Sequence, residues 1–401
     1  MTMVTLSDVT KIVTKGTTPT TLGMAFQENG IPFIRVNNIH DKLLNFKDDV
    51  LYIDEQTHKK LSRSVIKPRD VLISIAGSIG RSCVVPDDAP DLNCNQAVCI
   101  IRCDFEKILP EYLSYWLGGE IARSQITNSK VTGVIQNLSL TQVKALNIDL
   151  PPLAEQRRIT SILDQANELR QKRQQAIEKL DHLLQATFIE MFGDPKINPY
   201  KFNIEKLSKF YIDSKNGTKC GPFGSALKRH EYVENGIPVW SMDVITLSGE
   251  FIDNPSLWVT NEKFRELESY SVEQGDVIIS RAGTVGKMGV VHSQYEKSLI
   301  STNLIRLRFG NNLLPEYFVG LMTYCKHRLS RLQTGADGAF THMNTGILDN
   351  LEFPSPPIEK QKQFVDFLHM VNNNKQILLK SYKRINDLFV SIQNQAFSGT
   401  L

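Results

Sequence analysis

Two long stretches of this chain carry hydrophobic residues at alternating three- and four-residue steps. In the first stretch, with Arg173 as a polar break, the apolar positions are Ile159, Ile162, Ala166, Leu169, Ala176, Leu180 and Leu183. In the second stretch, with Asn374 and Ser381 as polar breaks, they are Phe364, Phe367, Val371, Leu378, Ile385, Leu388 and Ile392. This spacing is typical of a coiled-coil seam, so it predicts two long helices that pack against each other.

Proline and glycine mark the ends of both predicted helices. Pro151-Pro152 and Pro356-Pro357 precede the two stretches, and Gly193 and Gly399 follow them. Proline is favoured in the first turn of a helix and glycine just beyond the last turn. About 38 residues at 1.5 Å each give rods of roughly 57 Å. Because the first helix leads from one globular region into the next, we expect the second helix to run back antiparallel to it.

Before each long helix, short runs of β-branched and aliphatic residues predict strands, and Pro-led apolar runs predict short helices. The predicted strands are 71–75, 99–102, 277–280 and 305–309, and the predicted short helices are 110–117 and 315–322. The expected fold class is α+β, with two tandem mixed α/β domains joined by the antiparallel helices in a pseudo-two-fold, circular arrangement.

One sequence unit occurs twice. Gly30-Ile31-Pro32-Phe33 recurs 206 positions later as Gly236-Ile237-Pro238-Val239, and 70–74 recurs as 276–280 at the same offset. Gln156 and Gln361 are 205 positions apart. An offset that holds along the chain with a slip of one residue indicates an internal duplication. We therefore divide the chain into a first domain (1–152), a first helix (153–192), a second domain (193–357) and a second helix (358–401).

Composition narrows the class of protein but does not reveal a partner. The 401 residues have 41% hydrophobic and 22% charged residues and a net charge of +3, which is ordinary for a globular protein. Bulk charge therefore does not indicate nucleic-acid binding. Cys94, Cys99 and Cys103 lie in an apolar stretch without a C-x-x-C pair, which favours buried thiols over metal ligands. With neither a secretory signal nor an apolar run long enough to span a membrane, we expect a cytoplasmic protein.

Motifs of common enzymes are absent or incomplete. The segment 281–288 (RAGTVGKM) contains Gly286-Lys287, but Arg281 stands in place of the first P-loop glycine and Met288 in place of the hydroxyl residue. The segment 149–153 (DLPPL) resembles an amino-methyltransferase motif only superficially, and a helix start explains it. We therefore expect no catalytic residues and no metal in this chain.

Two Gly-rich turns, 77–81 and 283–287, follow the paired strands. Their glycines would let backbone N–H groups approach an anion, with Ser78, Arg81, Thr284 and Lys287 adding phosphate contacts. A tight structural turn is the alternative interpretation, and both remain open. A Gly-rich basic loop at 216–229 is the strongest local signal for nucleic acid, with a solvated surface loop as the alternative.

Polar residues that differ between the copies follow the shared apolar frame. Asn, Arg and Asp are residue types that read base edges in the major groove, although ordinary loop divergence would also give such differences. The predicted DNA contacts of the first copy are Lys15, Thr17, Arg35, Asn37, Asn38, Ser78, Arg81, Gln96, Gln136 and Asn137. Those of the second copy are Lys215, Lys219, Ser225, Lys228, Arg229, Trp240, Arg281, Thr284, Lys287, Thr302, His342 and Asn344.

Taken in order, the motifs resemble the DNA specificity subunits of type I restriction–modification systems. The segment 151–156 (PPLAEQ) resembles the family's helix start, and 191–195 (MFGDP) resembles its passage into the second recognition domain. The C-terminal segment 395–401 (QAFSGTL) is similar to the family's end. The resemblance covers essentially the whole chain. One departure is Lys360, which stands where the first copy has Glu155.

The resemblance implies two target-recognition domains, each of which binds half of a bipartite site in double-stranded DNA. It also implies a helix pair that sets the spacing and docks two methyltransferase subunits. The expected docking residues are Gln156, Arg157, Ile162, Leu169, Leu180, Gln361, Phe367, Leu378 and Leu388. S-adenosylmethionine would be held by those partners, and ATP and Mg by restriction subunits if two of these join. A subunit of a methyltransferase system without a motor and a structural coiled-coil adaptor are the alternatives.

Overall fold

The computed structural model describes residues 2–40, 42–128, 137–223, 226–325 and 343–401. The chain divides into two compact units. Unit 1 consists of Met1–Gln175 and Leu379–Leu401, and unit 2 of Ala176–Leu378. Each unit therefore combines one globular domain with a segment from each of the two long helices.

Unit 1 is a mixed domain of short strands and helices. Its strands are β1 (Thr2–Thr5), β2 (Thr10–Lys15), β3 (Ile31–Ile34), β4 (Ile39–His40), β5 (Leu43–Leu44), β6 (Leu51–Ile53), β7 (Val65–Ile66), β8 (Val71–Ser74), β9 (Ser82–Val84), β10 (Leu92–Cys94), β11 (Val98–Cys103) and β12 (Asn147–Leu150). Its helices are α1 (Leu6–Val9), α2 (Glu55–Lys60), α3 (Pro110–Gly118), α4 (Glu120–Asn128), α5 (Leu140–Lys144) and the start of α6 (Leu153–Phe192).

Unit 2 repeats this plan. Its strands are β13 (Asn203–Lys206), β14 (Thr218–Cys220), β15 (Ile237–Trp240), β16 (Trp258–Val259), β17 (Val277–Ser280), β18 (Met288–Val290), β19 (Leu299–Ile300), β20 (Leu304–Leu307) and β21 (Glu352–Ser355). Its helices are α7 (Asn261–Glu266), α8 (Pro315–Cys325), α9 (Thr345–Asp349) and the start of α10 (Ile358–Ser398).

The main sheets of the two units have matching strand orders, although unit 1 has the additional strands β7, β4 and β5. In unit 1 an antiparallel sheet has the order β2-β11-β8-β9, and in unit 2 the order is β14-β20-β17-β18. A second sheet contains one parallel pair in each unit, β3 with β10 and β15 with β19. The pairs β1–β12 and β13–β21 tie the beginning of each domain to the strand that precedes its long helix. The duplication read from the sequence is thus a duplication of fold, and the predicted mixed α/β class is confirmed.

Within each unit the two long-helix segments run antiparallel. In unit 1, Arg158 donates to the backbone oxygen of Leu401 at 3.1 Å, and Arg170 donates to Asn386 at 3.4 Å. In unit 2, the Lys375 ammonium lies 2.8 Å from the Asp181 carboxylate, and α6 meets α10 again where the rings of Phe188 and Phe364 lie 5.1 Å apart. Later positions of α6 meet earlier positions of α10 in both units, as the sequence pattern predicted.

The predicted seam is partly wrong in register. Phe364 and Val371 are buried as expected, but Leu169 and Leu183 are 47% and 45% exposed and Leu388 is 57% exposed. The buried positions of the two helices include Ile159, Leu163, Ile177, Leu184, Phe188 and Phe389. Each helix segment packs on its own globular domain as well as on the other helix, so the buried stripe is displaced from a simple two-helix seam.

A glutamine near the start of each long helix fixes that helix to its domain. Gln156 is fully buried, and its Oε1 accepts a bond from the Leu109 N–H at 2.9 Å while its Nε2 donates to two backbone oxygens. Gln361 is also fully buried, and its Oε1 accepts from the Leu314 N–H at 2.9 Å while its Nε2 donates to two backbone oxygens in the same way. The prediction that Gln156 and Gln361 dock a partner is therefore wrong, because both side chains are used inside their own units.

Replacing Gln361 with alanine should lower the free energy of unfolding of unit 2 by about 1–3 kcal/mol, since one buried N–H and two carbonyl groups lose their partner. Gln363 lies two residues further along α10 with its side chain exposed, and it provides the control. Gln363→Ala should stay within about 0.5 kcal/mol of the parent. Urea unfolding of the full chain, monitored by tryptophan fluorescence, measures the free energy of unfolding of both variants. Equal losses in the two variants would contradict the structural role assigned to Gln361.

No helix among the described residues is both long enough and apolar enough to cross a membrane.

Candidate nucleic-acid interface

Loops from separate strands meet at one end of the sheets in unit 1. The Ile75 N–H, just beyond β8, donates to the Ala97 oxygen at 2.8 Å. The Asn95 N–H donates to the Ile34 oxygen at the end of β3 at 3.1 Å. These bonds bring the segments that follow β3 and β8 together with the segment that precedes β11. We call the edge that these three segments form the rim of unit 1, and most of the predicted DNA contacts of the first copy lie on it.

Unit 2 repeats these connections at equivalent positions. The Arg281 N–H donates to the Asn303 oxygen at 2.9 Å, and the Ser301 N–H donates to the Trp240 oxygen at 2.9 Å. The four residues lie 206 positions after Ile75, Ala97, Asn95 and Ile34, respectively. The scaffold of the rim is therefore conserved between the units, while the side chains on it differ.

Most predicted contacts are accessible on these domains. In unit 1 the exposed ones are Lys15, Asn37, Ser78, Arg81, Gln96 and Asn137, and Thr17 and Arg35 are half-buried. In unit 2 Lys228, Arg229 and Thr284 are exposed, and Lys219, Arg281, Lys287 and Thr302 are half-buried. Gln136, Ser225 and His342 lie outside the described residues.

The Gly-rich turns are tight hairpin loops, each closed by a buried serine. Ser74 Oγ donates to the Ser78 oxygen at 2.5 Å and accepts from the Arg81 N–H at 2.9 Å. Ser280 Oγ makes the same two bonds, to Thr284 and Lys287, at 2.5 and 3.0 Å. The glycines have φ between 64° and 93°, a region that side-chain-bearing residues rarely adopt. The structural interpretation of these turns is confirmed, and contact with phosphate remains a prediction.

Arg81 also faces the long helices of unit 1. It lines a groove of about 580 Å³ together with Lys42, Arg123 and Arg170. The groove lies between the Gly-rich hairpin, the α3–α4 corner and α10. Arg81 is thus placed at the inner edge of the hairpin, away from the tip that carries Ser78.

Two predicted base contacts are structural residues. Asn38 is 1% exposed, and its side chain accepts from the Arg35 N–H and donates to the Asp49 oxygen. Trp240 is fully buried at the end of β15, and its ring lies 4.9 Å from the Phe251 ring. Both predictions are wrong, because Asn38 stabilises its own loop, Trp240 packs in the core, and neither side chain is accessible to DNA.

Two further residues have positions that the sequence pattern did not show. Lys215 precedes β14, so it lies at the opposite end of that strand from Gly221 and does not join the rim. Asn344 accepts from the Ile347 N–H at 2.9 Å and caps α9, as Ser139 caps α5 at the position 205 residues earlier. Asn344 is therefore equivalent to Ser139, and its side chain is used as a helix cap.

Sequence reasoning missed a pair of glycines that anchors the loops. A Cβ atom on Gly16 would lie 2.0 Å from the Cys94 oxygen, and one on Gly221 would lie 1.9 Å from the Ser301 oxygen. Only glycine permits this approach of two backbones. The signal was present in the sequence, since the two glycines are 205 positions apart.

The thiols are core residues, as the sequence predicted. Cys94 and Cys99 are fully buried and Cys103 is 1% exposed. Burial raises the pKa of Cys99 and Cys103 to about 12, so both stay protonated near neutral pH. Among the described residues no group of three or more His, Cys, Asp or Glu could hold a metal ion.

On the helices, the predicted docking residues other than the two glutamines remain accessible to different degrees. Arg157, Leu169 and Leu388 are exposed, and Ile162, Leu180, Phe367 and Leu378 are half-buried. Further apolar residues are exposed on the same helices, with Ile377 at 65% and Met370 at 54%. These exposed apolar side chains are therefore candidates for contact with a partner.

The fold and the two rims define a duplicated binding protein that presents different side chains on one repeated scaffold. The chain belongs to the family of the type I restriction modification DNA specificity domain, whose sequence profile matches residues 1–179 and 224–388.

Individual relatives support the same membership. The specificity subunit of the type I restriction enzyme StySPI from Salmonella potsdam is 23% identical over 411 residues, which cover 94% of this chain and 83% of that protein. The EcoBI specificity subunit from Escherichia coli is 25% identical over 169 residues, and this match spans only 35% of that relative's length. One solved structure, from a study of complex assembly and conformational transition of the type I R-M system, contains a chain that matches with a TM-score of 0.57 at 21% identity. The match covers 100% of this chain and 98% of that chain. That chain shares the fold.

Proposed function

We propose that this chain is the DNA specificity subunit of a type I restriction–modification enzyme and that each unit binds one half of a bipartite site. The observation that carries the proposal is the repeated rim. Unit 1 presents Gln96 where unit 2 presents Thr302, and Asn37 where unit 2 presents Asp243, on backbones held by the same bonds. Equal scaffolds with unequal polar residues suit the recognition of two different half-sites.

The helix pair acts in this proposal as a spacer and as the docking surface for methyltransferase subunits. Exposed Leu169 and Leu388, which lie off the buried stripe, offer apolar surface for a partner. Gln156 and Gln361 are excluded from this surface because they are buried. The StySPI relative is one subunit of a type I restriction enzyme. This supports the proposal that the present chain also has partner subunits.

The chemistry belongs to the partners in this proposal. S-adenosylmethionine would be bound by the methyltransferase subunits, and ATP and Mg by restriction subunits where these join. The chain itself supplies DNA recognition and no catalytic residue. A specificity subunit of a system without a motor keeps the same role for this chain, whereas a purely structural adaptor would leave the two polar rims without a ligand.

Methylation mapping tests the proposal. A host that expresses this chain with the methyltransferase subunit of the same system should acquire one bipartite methylated sequence. The methyltransferase subunit alone should give none. A methylated sequence that does not depend on this chain would contradict the proposal.

Inserting seven residues into both helices should lengthen the gap between the half-sites by up to about three base pairs. Seven residues extend a helix by roughly 10 Å, and the bases of DNA are about 3.4 Å apart. The insertion belongs at the boundary of the two units, after Gln175 in α6 and after Leu378 in α10. The methylated motif of the variant measures the gap. An unchanged gap in an active variant would show that the helices do not set the spacing.

A further inference from the structure

One loop position of the rim carries different chemistry in the two units. Thr18 and Phe223 each lie two residues after an anchoring glycine, Gly16 or Gly221. Both glycines lie against the backbone of the neighbouring loop. The loop segments that follow them therefore begin at equivalent places in the two units. Thr18 Oγ1 donates a hydrogen bond to the side chain of Gln96. Phe223 instead presents an aromatic ring that is 60% exposed.

The ring of Phe223 is supported by a cation. The guanidinium carbon of Arg281 lies 5.0 Å from the ring centroid, within the range of a cation–π contact. Arg281 Nη1 is buried and has no hydrogen-bond partner among the described residues. The guanidinium therefore lies against the ring, whereas the sequence predicted that Arg281 contacts DNA. With one face covered by Arg281, the ring turns apolar surface outward beside residues predicted to contact DNA.

The only large apolar group that a base pair presents in the major groove is the 5-methyl group of thymine. The phenylalanine side chain has no hydrogen-bonding atom, so it recognises a base edge through such a group. The hydroxyl and amide of Thr18 and Gln96 instead suit the donors and acceptors of a base edge. The two units therefore differ at this position in the class of base that they can favour.

We propose that Phe223, held in place by Arg281, contacts the 5-methyl group of a thymine in the half-site bound by unit 2. The inference rests on the proposed function, because it needs unit 2 to bind a defined half-site. Arg281 is a positioning residue in this account, since it acts on the DNA through the ring.

The experiment combines protein variants with methyl-deleted DNA. Duplexes that contain the mapped site are made with each thymine of the second half-site replaced, one at a time, by deoxyuridine, which lacks the methyl group. The assembled complex of this chain with its methyltransferase subunit is titrated in competition assays. Loss of one buried methyl group should weaken binding by about fourfold at one position.

In Phe223→Ala this uridine penalty should disappear, and overall binding should weaken because the contact is missing in both duplexes. Phe223→Leu should keep part of the penalty, since leucine retains apolar surface. Arg281→Ala should reduce the penalty because the ring loses its support. The matched control is Phe105→Ala, which removes another exposed phenylalanine (49% exposed) beyond the far end of β11 and should leave the penalty unchanged.

A uridine penalty that persists in Phe223→Ala would overturn the inference, as would a second half-site in which no thymine gives a penalty. Failure of the proposed function gives a different result. In that case the complex with the unaltered chain would not distinguish the mapped duplex from a scrambled one.

Discussion

Replacing Asp276 with alanine should lower the free energy of unfolding of unit 2 by about 3–5 kcal/mol, the effect expected when one member of a buried ion pair is removed. Asp276 is 2% exposed. Its two carboxylate oxygens accept from Nε and Nη2 of Arg308, both at 2.8 Å, and Oδ2 also accepts from the Glu273 N–H. Alanine would leave the Arg308 guanidinium, with 14% of its side chain exposed, without its main partner.

The same pair exists in unit 1, which gives an internal repeat of the experiment. Asp70 is 1% exposed and binds Nε and Nη2 of Arg102 at 2.8 and 2.7 Å. Asp70→Ala should therefore destabilise unit 1 by a similar amount. Both aspartates lie immediately before a core strand, β8 or β17, so the pairs fix the strands whose far ends carry the Gly-rich hairpins.

Glu273 provides the control for this prediction. It also contacts Arg308, at 2.6 Å, but its side chain is 63% exposed. Exposed ion pairs contribute little because water screens them, so Glu273→Ala should change stability by less than about 1 kcal/mol. Thermal unfolding of the full chain, with Trp240 and Trp258 as reporters of unit 2, compares the variants. For a unit of this size, 3–5 kcal/mol corresponds to a Tm lower by about 6–20 °C. An Asp276→Ala variant as stable as Glu273→Ala would contradict the ion-pair account.

The duplication made most of the architecture predictable. A constant offset ties strands, short helices and long helices of one copy to those of the other, and proline and glycine mark the helix ends. Gly193 and Gly399 have φ of 74° and 76° just past α6 and α10, as a helix-terminating glycine requires. These features are local and repeat, so the sequence displays them twice.

The register of the helix seam could not be predicted for a physical reason. Apolar residues occur side by side at Ile162-Leu163, Leu183-Leu184 and Leu388-Phe389. Either member of each pair satisfies the three- and four-residue spacing. Which member is buried depends on the surface of the globular domain that the helix also covers, and that surface is created by the fold.

The site was less predictable than the fold. Trp240 and Asn38 come after the shared Gly-Ile-Pro motif, and a residue change between the copies at these positions suggested a change in DNA contact. In the structure both side chains are buried, so packing inside each unit explains which residue stands there. Phe223 was visible in the sequence within the basic loop. Its equivalence to Thr18 follows only once Gly16 and Gly221 are recognised as the fixed points of the two loops.

Exchange of the first domain tests the central claim that each unit binds its own half-site. Residues 1–150 would be replaced by the corresponding domain of another family member, leaving α6 and α10 intact. Gln156 and Gln393 bind backbone atoms of the first domain, at Leu109 and Tyr115, and these two contacts do not depend on its side chains. The replacement domain should keep Tyr112 and Tyr115, whose side chains contact Phe397 and Asp164 of the long helices. The methylated sequence of a host that expresses the hybrid chain with its methyltransferase is the measurement. We predict that one half-site changes while the other half-site stays the same, and a change in both half-sites, or in neither, would contradict the account.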